Sequence, residues 1–160
     1  MLWESQAPGS ALQWDESQLS ARELGLQLYS MEVNSADEYE AAFKRAIEAG
    51  NDALLVTLGP LANSNQRVIA ELAINNRLPS LCAREDYSDN GCLMAYGPGY
   101  ANEGRDGARY VDRILRGARP ADLPVEQPMT FEFVVNMNTA HALGIMFPND
   151  IMLQVTRVVQ

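Results

Sequence analysis

The alternation of short apolar runs with helical segments constrains this chain more than any other feature of its sequence. Strand-length apolar stretches and amphipathic helical patterns take turns along nearly all of it. Such alternation signals βαβ units feeding a parallel sheet. Leu2-Trp3 reads as the stub of a first strand, Ala7-Pro8-Gly9-Ser10 as a turn, and Leu12–Leu24 as a helix stopped by Gly25. A strand is expected over Leu26–Val33. Asn34-Ser35 with Glu38 then offers a capping box to a helix whose Tyr39, Ala42, Phe43, Ala46 and Ile47 share one face.

The second half repeats the scheme. Asp52–Thr57 is a compact apolar strand of the kind buried on both faces. A helix with Val68, Ile69, Leu72 and Ala73 facing inward leads to strands at Pro79–Ala83 and Leu93–Tyr96, the two separated by a turn at 88–91. A further helix from Gly99 to Leu115 sets Ala108, Val111 and Leu115 on one side. Pro120, Pro124 and Pro128 make 117–128 an extended connection. Phe131–Val135 alternates as a last strand, and short helices are expected over Thr139–Leu143 and Asn149–Val158. The fold class is α/β: a doubly wound, mostly parallel, Rossmann-like sheet.

Composition narrows the function. Twelve basic against 21 acidic residues give a net charge of −9. Nucleic acid is therefore not an expected partner, since its binders need a basic face to displace counterions. The closest basic grouping, Arg113, Arg116 and Arg119, is interleaved with Asp112 and Asp122. The first residues show neither the basic nor the apolar region of a signal peptide. Two cysteines and one histidine fall short of the four clustered ligands of a zinc site, so no metal is expected, and no cofactor either. Cys82 and Cys92 read as two free buried thiols at strand ends, with a disulfide as the alternative should the protein be exported.

Open parallel sheets bind ligands beyond the carboxyl ends of their strands, where loops vary freely and helix N-termini point outward. Four loops occupy that edge here: 6–10, 57–60, 83–86 and 96–99. Ser10 and Thr57 supply hydroxyls, Arg84 a fork for a carboxylate, Glu85 a partner for an ammonium, and Tyr96 a flat ring with a polar tip, and Gly59 and Gly97 are counted with them as ligand-binding candidates in the same loops. Ser10 and Thr57 have a plainer use as turn caps, and Arg84–Glu85 as a solvated pair. Catalysis finds little support. There is no phosphate-binding Gly-x-x-x-x-Gly-Lys loop and no Gly-x-Ser-x-Gly elbow, and the lone histidine, His141, sits in an Ala-rich helix. The segment 97–102 fails the dinucleotide fingerprint because Asn102 stands where the third glycine is needed.

At this point a family resemblance emerges. The stretches GCLMAYGP (91–98), YVDRILRGARPADLPVEQP (110–128) and VNMNTA (135–140), with Leu143-Gly144 and Pro148, resemble the ABC transporter substrate-binding family of tryptophan and tyrosine type, which has the type I periplasmic-binding fold. Upstream stretches follow the same pattern, so the resemblance covers nearly the whole chain. Cys92, where the family usually has a second glycine, and Cys82, where it usually has an apolar or aromatic residue, depart from it and keep a Cys82–Cys92 disulfide in play.

The resemblance implies one lobe of a two-lobed receptor: residues 1–128 as the second α/β lobe, and 129–160 as a C-terminal strand and helices packing on the lobe or hinge. The first lobe is absent, and the chain reads as a fragment or a truncated gene. The implied function is a non-catalytic solute-binding component of an ABC importer. It would hold a small organic solute, an amino acid of aromatic type on the family's pattern, in an interlobe cleft. The implied partners are the solute and the ABC permease subunits, with a homodimer of the lone lobe as a further expectation. The implied place is periplasmic or extracytoplasmic, with a signal sequence in the absent N-terminal part. The alternatives are a ligand-sensing module of a signalling or regulatory protein and a Rossmann-like enzyme.

Overall fold

A computed structural model describes residues 1–160, and for residues 100–103 the helical backbone only. Among the described residues, seven strands form one sheet. They are β1 (Leu2–Trp3), β2 (Met31–Glu32), β3 (Leu54–Val56), β4 (Ser80–Cys82), β5 (Met94–Pro98), β6 (Phe131–Asn136) and β7 (Arg157–Val159), ordered β2-β1-β3-β4-β5-β6-β7. Neighbours run parallel except β5 and β6, which pair antiparallel from Met94↔Val135 to Pro98↔Phe131. The helices are α1 (Pro8–Glu23), α2 (Tyr39–Glu48), α3 (Pro60–Ser64), α4 (Gln66–Asn75), α5 (Glu85–Asp89), α6 (Tyr100–Leu115), α7 (Met137–Leu143) and α8 (Asn149–Met152).

The core lies on one face of the sheet. α2 turns Tyr39, Ala42, Phe43 and Ala46 inward at i, i+3, i+4 and i+7, and α4 adds Ile69 and Ala73. They meet Leu2, Leu54, Val56 and Cys82, which share that face by the two-residue period of the strands. α1 follows β1 on the opposite face, where Trp14 stacks on Trp3 with ring centres 5.5 Å apart.

Several local expectations are corrected. The strand expected over Leu26–Val33 shrinks to Met31–Glu32, with Leu26 left exposed beyond α1. The turn expected at 88–91 is present, closed where Gly91 N–H donates to the Ser88 carbonyl at 3.1 Å, but it follows directly on a short helix, α5, that was not expected. The helix expected over Asn149–Val158 stops at Met152, and the chain re-enters the sheet as β7, held where Thr156 N–H donates to the Phe133 carbonyl at 2.8 Å. The capping box does not close on Ser35: the Glu38 carboxylate accepts from Asn34 N–H at 2.8 Å, and the Ser35 side chain does not cap the helix. The two cysteines are not free thiols. Cys82 at the end of β4 and Cys92 after α5 are joined as a disulfide, which closes the loop around α5.

Candidate functional site

Order reverses in the sheet at β1. The chain leaves β1 through α1 toward β2 on one side and resumes at β3 on the other. The turns after β1 and β3 therefore part company at the carboxyl edge and leave a crevice, the usual place for a ligand in such sheets. A cavity of about 720 Å³ lies there, lined by Glu4, residues 6–10, Asn34, residues 58–61 and Ser64.

Glu4 organises this crevice. It follows β1 directly and is buried, and its carboxylate is the one charged group in the lining. The two oxygens accept from the first turn of α3, Oε1 from Ala62 N–H at 2.8 Å and Oε2 from Leu61 N–H at 3.2 Å. Helix N-termini leave such N–H groups without intrahelical partners, and an acidic oxygen there is favourable. Beside the carboxylate, the Tyr39 phenol has its pKa raised, by burial first and by the Glu4 charge second. On the far wall, Asn34 Oδ1 accepts from Ser5 Oγ at 3.1 Å and Gln6 N–H at 3.3 Å, tying the β2 end to the β1 turn.

Ser10 and Thr57 are brought together, but their hydroxyls are used inside the protein. Ser10 Oγ accepts from Glu4 N–H at 2.9 Å and lies 2.8 Å from Thr57 Oγ1, which donates to the Leu2 carbonyl at 3.1 Å. Proton counting orders the chain: Thr57 spends its hydrogen on Leu2, so Ser10 donates to Thr57. This buried relay fixes the start of α1 against β1 and β3. Gly59 lines the crevice, and a Cβ on it would meet Glu4 Oε1 at 2.2 Å.

Arg84, Glu85, Tyr96 and Gly97 lie at the β4 and β5 ends, outside that cavity. Arg84 forks the carboxylate of Asp86, with Nε to Oδ1 at 2.8 Å, and Gln66 adds a bond to Oδ2 at 2.7 Å. Desolvation pushes the Asp86 pKa up, but the bonds from Arg84 and Gln66 and the guanidinium charge outweigh it and hold the carboxyl below its ordinary range. Glu85 opens α5 half-buried. Tyr96 is 55% exposed, stacked on Phe131 with centres 5.6 Å apart and edge-on to Phe133. Gly97 allows β5 to pass close to β4: a Cβ there would lie 2.1 Å from the Ala83 carbonyl oxygen. Sequence reasoning missed Glu4 and Asn34. Glu4 stands directly after the first strand, but nothing near it in sequence announces the α3 turn that its carboxylate caps.

The chain matches the model of the family described as ABC transporter substrate binding protein over residues 1–159. It is 21% identical over 145 residues to a tyrosine-binding protein of Clostridioides difficile, covering 91% of this chain and 42% of that protein. The fold is shared with a conserved domain protein of Vibrio cholerae at a TM-score of 0.90 and 22% identity, over 98% of this chain and 53% of that one. An ABC domain of Streptococcus pneumoniae, solved in complex with L-Trp, superposes at a TM-score of 0.87 and 23% identity, over 99% and 55%. The chain thus spans about half the length of these relatives, and its sheet is one lobe of a periplasmic-binding fold. That family is defined by binding rather than by a reaction. From the match over nearly its full length, the chain belongs to the ABC transporter substrate-binding protein family.

Proposed function

We propose that this chain forms one wall of a solute-binding cleft in a receptor that serves an ABC importer. The observation that carries this reading is the crevice at the point of strand reversal, in a chain of a substrate-binding family. Glu4 sets its floor, and the segments 6–10 and 58–61, which run into the starts of α1 and α3, form its sides with Asn34. Ser10 and Thr57 act by positioning, Gly59 by making room. Arg84, Glu85, Tyr96 and Gly97 line the same edge further along, and Tyr96 offers the ring face an aromatic solute would stack on.

In this reading residues 1–128 are a second lobe, residues 129–160 complete it, and another lobe supplies the facing wall. A solute touching both walls favours the closed form by its differential contacts, and a permease reads that form. The solute is a small organic molecule, in the first instance an amino acid, with aromatic ones favoured by the tyrosine- and tryptophan-binding relatives. The site of action is extracytoplasmic, which accords with a disulfide at Cys82–Cys92.

One wall holds half the contacts, so binding by this chain is expected only at millimolar solute. Amide chemical shifts of the labelled chain, followed while L-Trp, L-Tyr, L-Lys and L-Glu are added in turn, test this. Movement at residues 6–10, 34 and 58–61 with the aromatic pair is the expected result. Movement confined to other residues, or micromolar binding by the single wall, would overturn it.

A further inference from the structure

Among the described residues, Glu4 is the one charged side chain that is buried, at 7% exposure. No lysine or arginine answers it, since every described ion pair lies elsewhere in the molecule. Its partners are neutral, the N–H groups of Leu61 and Ala62 at the start of the five-residue α3. They solvate the carboxylate but leave its unit charge in place. The buried Tyr39 hydroxyl, which feels that charge, makes no hydrogen bond. Buried charges are ordinarily paired with an opposite charge. Here the carboxylate instead forms part of the wall of the crevice of about 720 Å³, where a counter-ion can enter from outside.

The rest of the crevice supports the same sign. Its other polar side chains, Gln6, Ser10, Asn34 and Ser64, are neutral. Ser64 Oγ donates to the Pro60 carbonyl at 2.9 Å and keeps its lone pairs free to accept. The feature there that favours an anion is the start of α1, and it is weak. Pro8 has no N–H, Ala7 N–H is donated to the Glu4 carbonyl and Ser10 N–H to the Ala7 carbonyl, so Gly9 is left. A helix end carries at most about half a unit charge. Arg84, at the β4 end outside the cavity, is engaged by Asp86. The net charge of −9 adds a field that draws cations toward the whole molecule.

We propose that the crevice selects a protonated amino group: Glu4 is the counter-ion of an organic ammonium solute, and this wall makes no demand for a carboxylate. The proposal rests on the solute-binding reading of the crevice and narrows it. Each Glu4 oxygen holds one hydrogen bond from α3 and can accept a second, so lone pairs remain for the three N–H donors of an ammonium. Ser64 Oγ, in the same lining, is a neutral acceptor for another of those hydrogens. An amine without a carboxylate and the corresponding amino acid are therefore held alike by this wall.

Amide shifts of the labelled chain test this with a series of indoles: tryptamine, a cation; L-Trp, a zwitterion; N-acetyltryptamine, neutral; and indole-3-propionate, an anion. Tryptamine is expected to move Glu4, Gly59, Leu61 and Ala62. L-Trp binds within about threefold of it, and the neutral and anionic probes bind about tenfold more weakly or worse. Glu4→Gln keeps an acceptor oxygen for α3 but removes the charge, and it brings tryptamine down to the level of N-acetyltryptamine. Should that variant fail to fold, rising NaCl on the parent protein gives the same reading, because salt weakens tryptamine and leaves N-acetyltryptamine unchanged. L-Trp bound about tenfold more tightly than tryptamine, or indole-3-propionate bound as tightly as tryptamine, overturns the amine proposal and leaves the crevice as a solute site. Crevice residues that stay still with all of these probes overturn both.

Discussion

The carboxylate of Glu4 occupies the space that any side chain at residue 59 would need: a Cβ built on Gly59 lies 2.2 Å from its Oε1. Two residues 55 positions apart therefore define each other. The acid reaches Ala62 N–H at 2.8 Å because residue 59 is glycine, and the turn after β3 is held at the crevice because the acid is there.

Gly59→Ala is expected to destabilise the chain by about 1–3 kcal/mol, the usual cost of overpacking a filled site. Glu4→Ala strips the first turn of α3 of both its acceptors and costs about 1–2 kcal/mol. The double variant costs less than the sum, because removing the carboxylate vacates the space that the new methyl needs. Urea unfolding of all four proteins measures the coupling. Strictly additive losses would show that the two residues do not compete for one volume.

The Ser10–Thr57 relay predicts another pattern. Thr57→Val leaves the buried Ser10 hydroxyl without its acceptor and the Leu2 carbonyl without this donor. A loss of about 1–3 kcal/mol follows. Ser10→Ala frees Glu4 N–H instead, so amide exchange at Glu4 accelerates in that variant. Exchange at Glu4 that stays as slow as in the parent protein would contradict the relay.

What the sequence made legible follows from the range of the forces involved. The α2 face, with Tyr39, Phe43 and Ala46 inward, was readable because amphipathic spacing is local. The strand ladder was readable for the same reason, and with it the crevice edge that includes Ser10, Thr57 and Gly59. β7 is missed because the helix expected over Asn149–Val158 takes in Val155, Thr156 and Val158, although β-branched residues in such density favour a strand. The expectation of a long strand over Leu26–Val33 failed because β1 offers only two residues to pair with. Glu4 and its partners lay beyond reach, since nothing near residue 4 announces a helix start at residue 60. Arg84 was recognised as a carboxylate fork; that its carboxylate belongs to Asp86, two residues on, depends on a loop conformation no local rule specifies.

The disulfide gives a third test. Its closed loop is short, with a sequence separation of 10. Loop-closure entropy then contributes roughly 2–3 kcal/mol through the unfolded state. Cys82→Ser combined with Cys92→Ser is expected to lower the thermal midpoint, and reductant to lower that of the parent protein alone. Insensitivity of the parent protein to reductant would contradict a stabilising bond.

Acid stability tests the carboxylate at the β4 end. Hydrogen bonds from Arg84 and Gln66 hold the Asp86 pKa below its ordinary range against an opposing desolvation. A carboxyl whose folded pKa is depressed adds stability above its unfolded pKa and loses it as pH falls through the folded value. Asp86 thus stabilises at neutral pH, and its contribution disappears in acid, from about pH 4 downward. Asp86→Asn keeps the shape but cannot ionise, so the variant is less stable than the parent near neutrality and the two converge at low pH. Denaturant midpoints followed from neutrality into acid read this directly. Parallel curves would mean that the Arg84–Asp86 pair is solvated enough to contribute nothing, as exposed ion pairs often are. Converging curves mean that Arg84 is held by its own chain at the edge where a solute carboxylate would otherwise meet it.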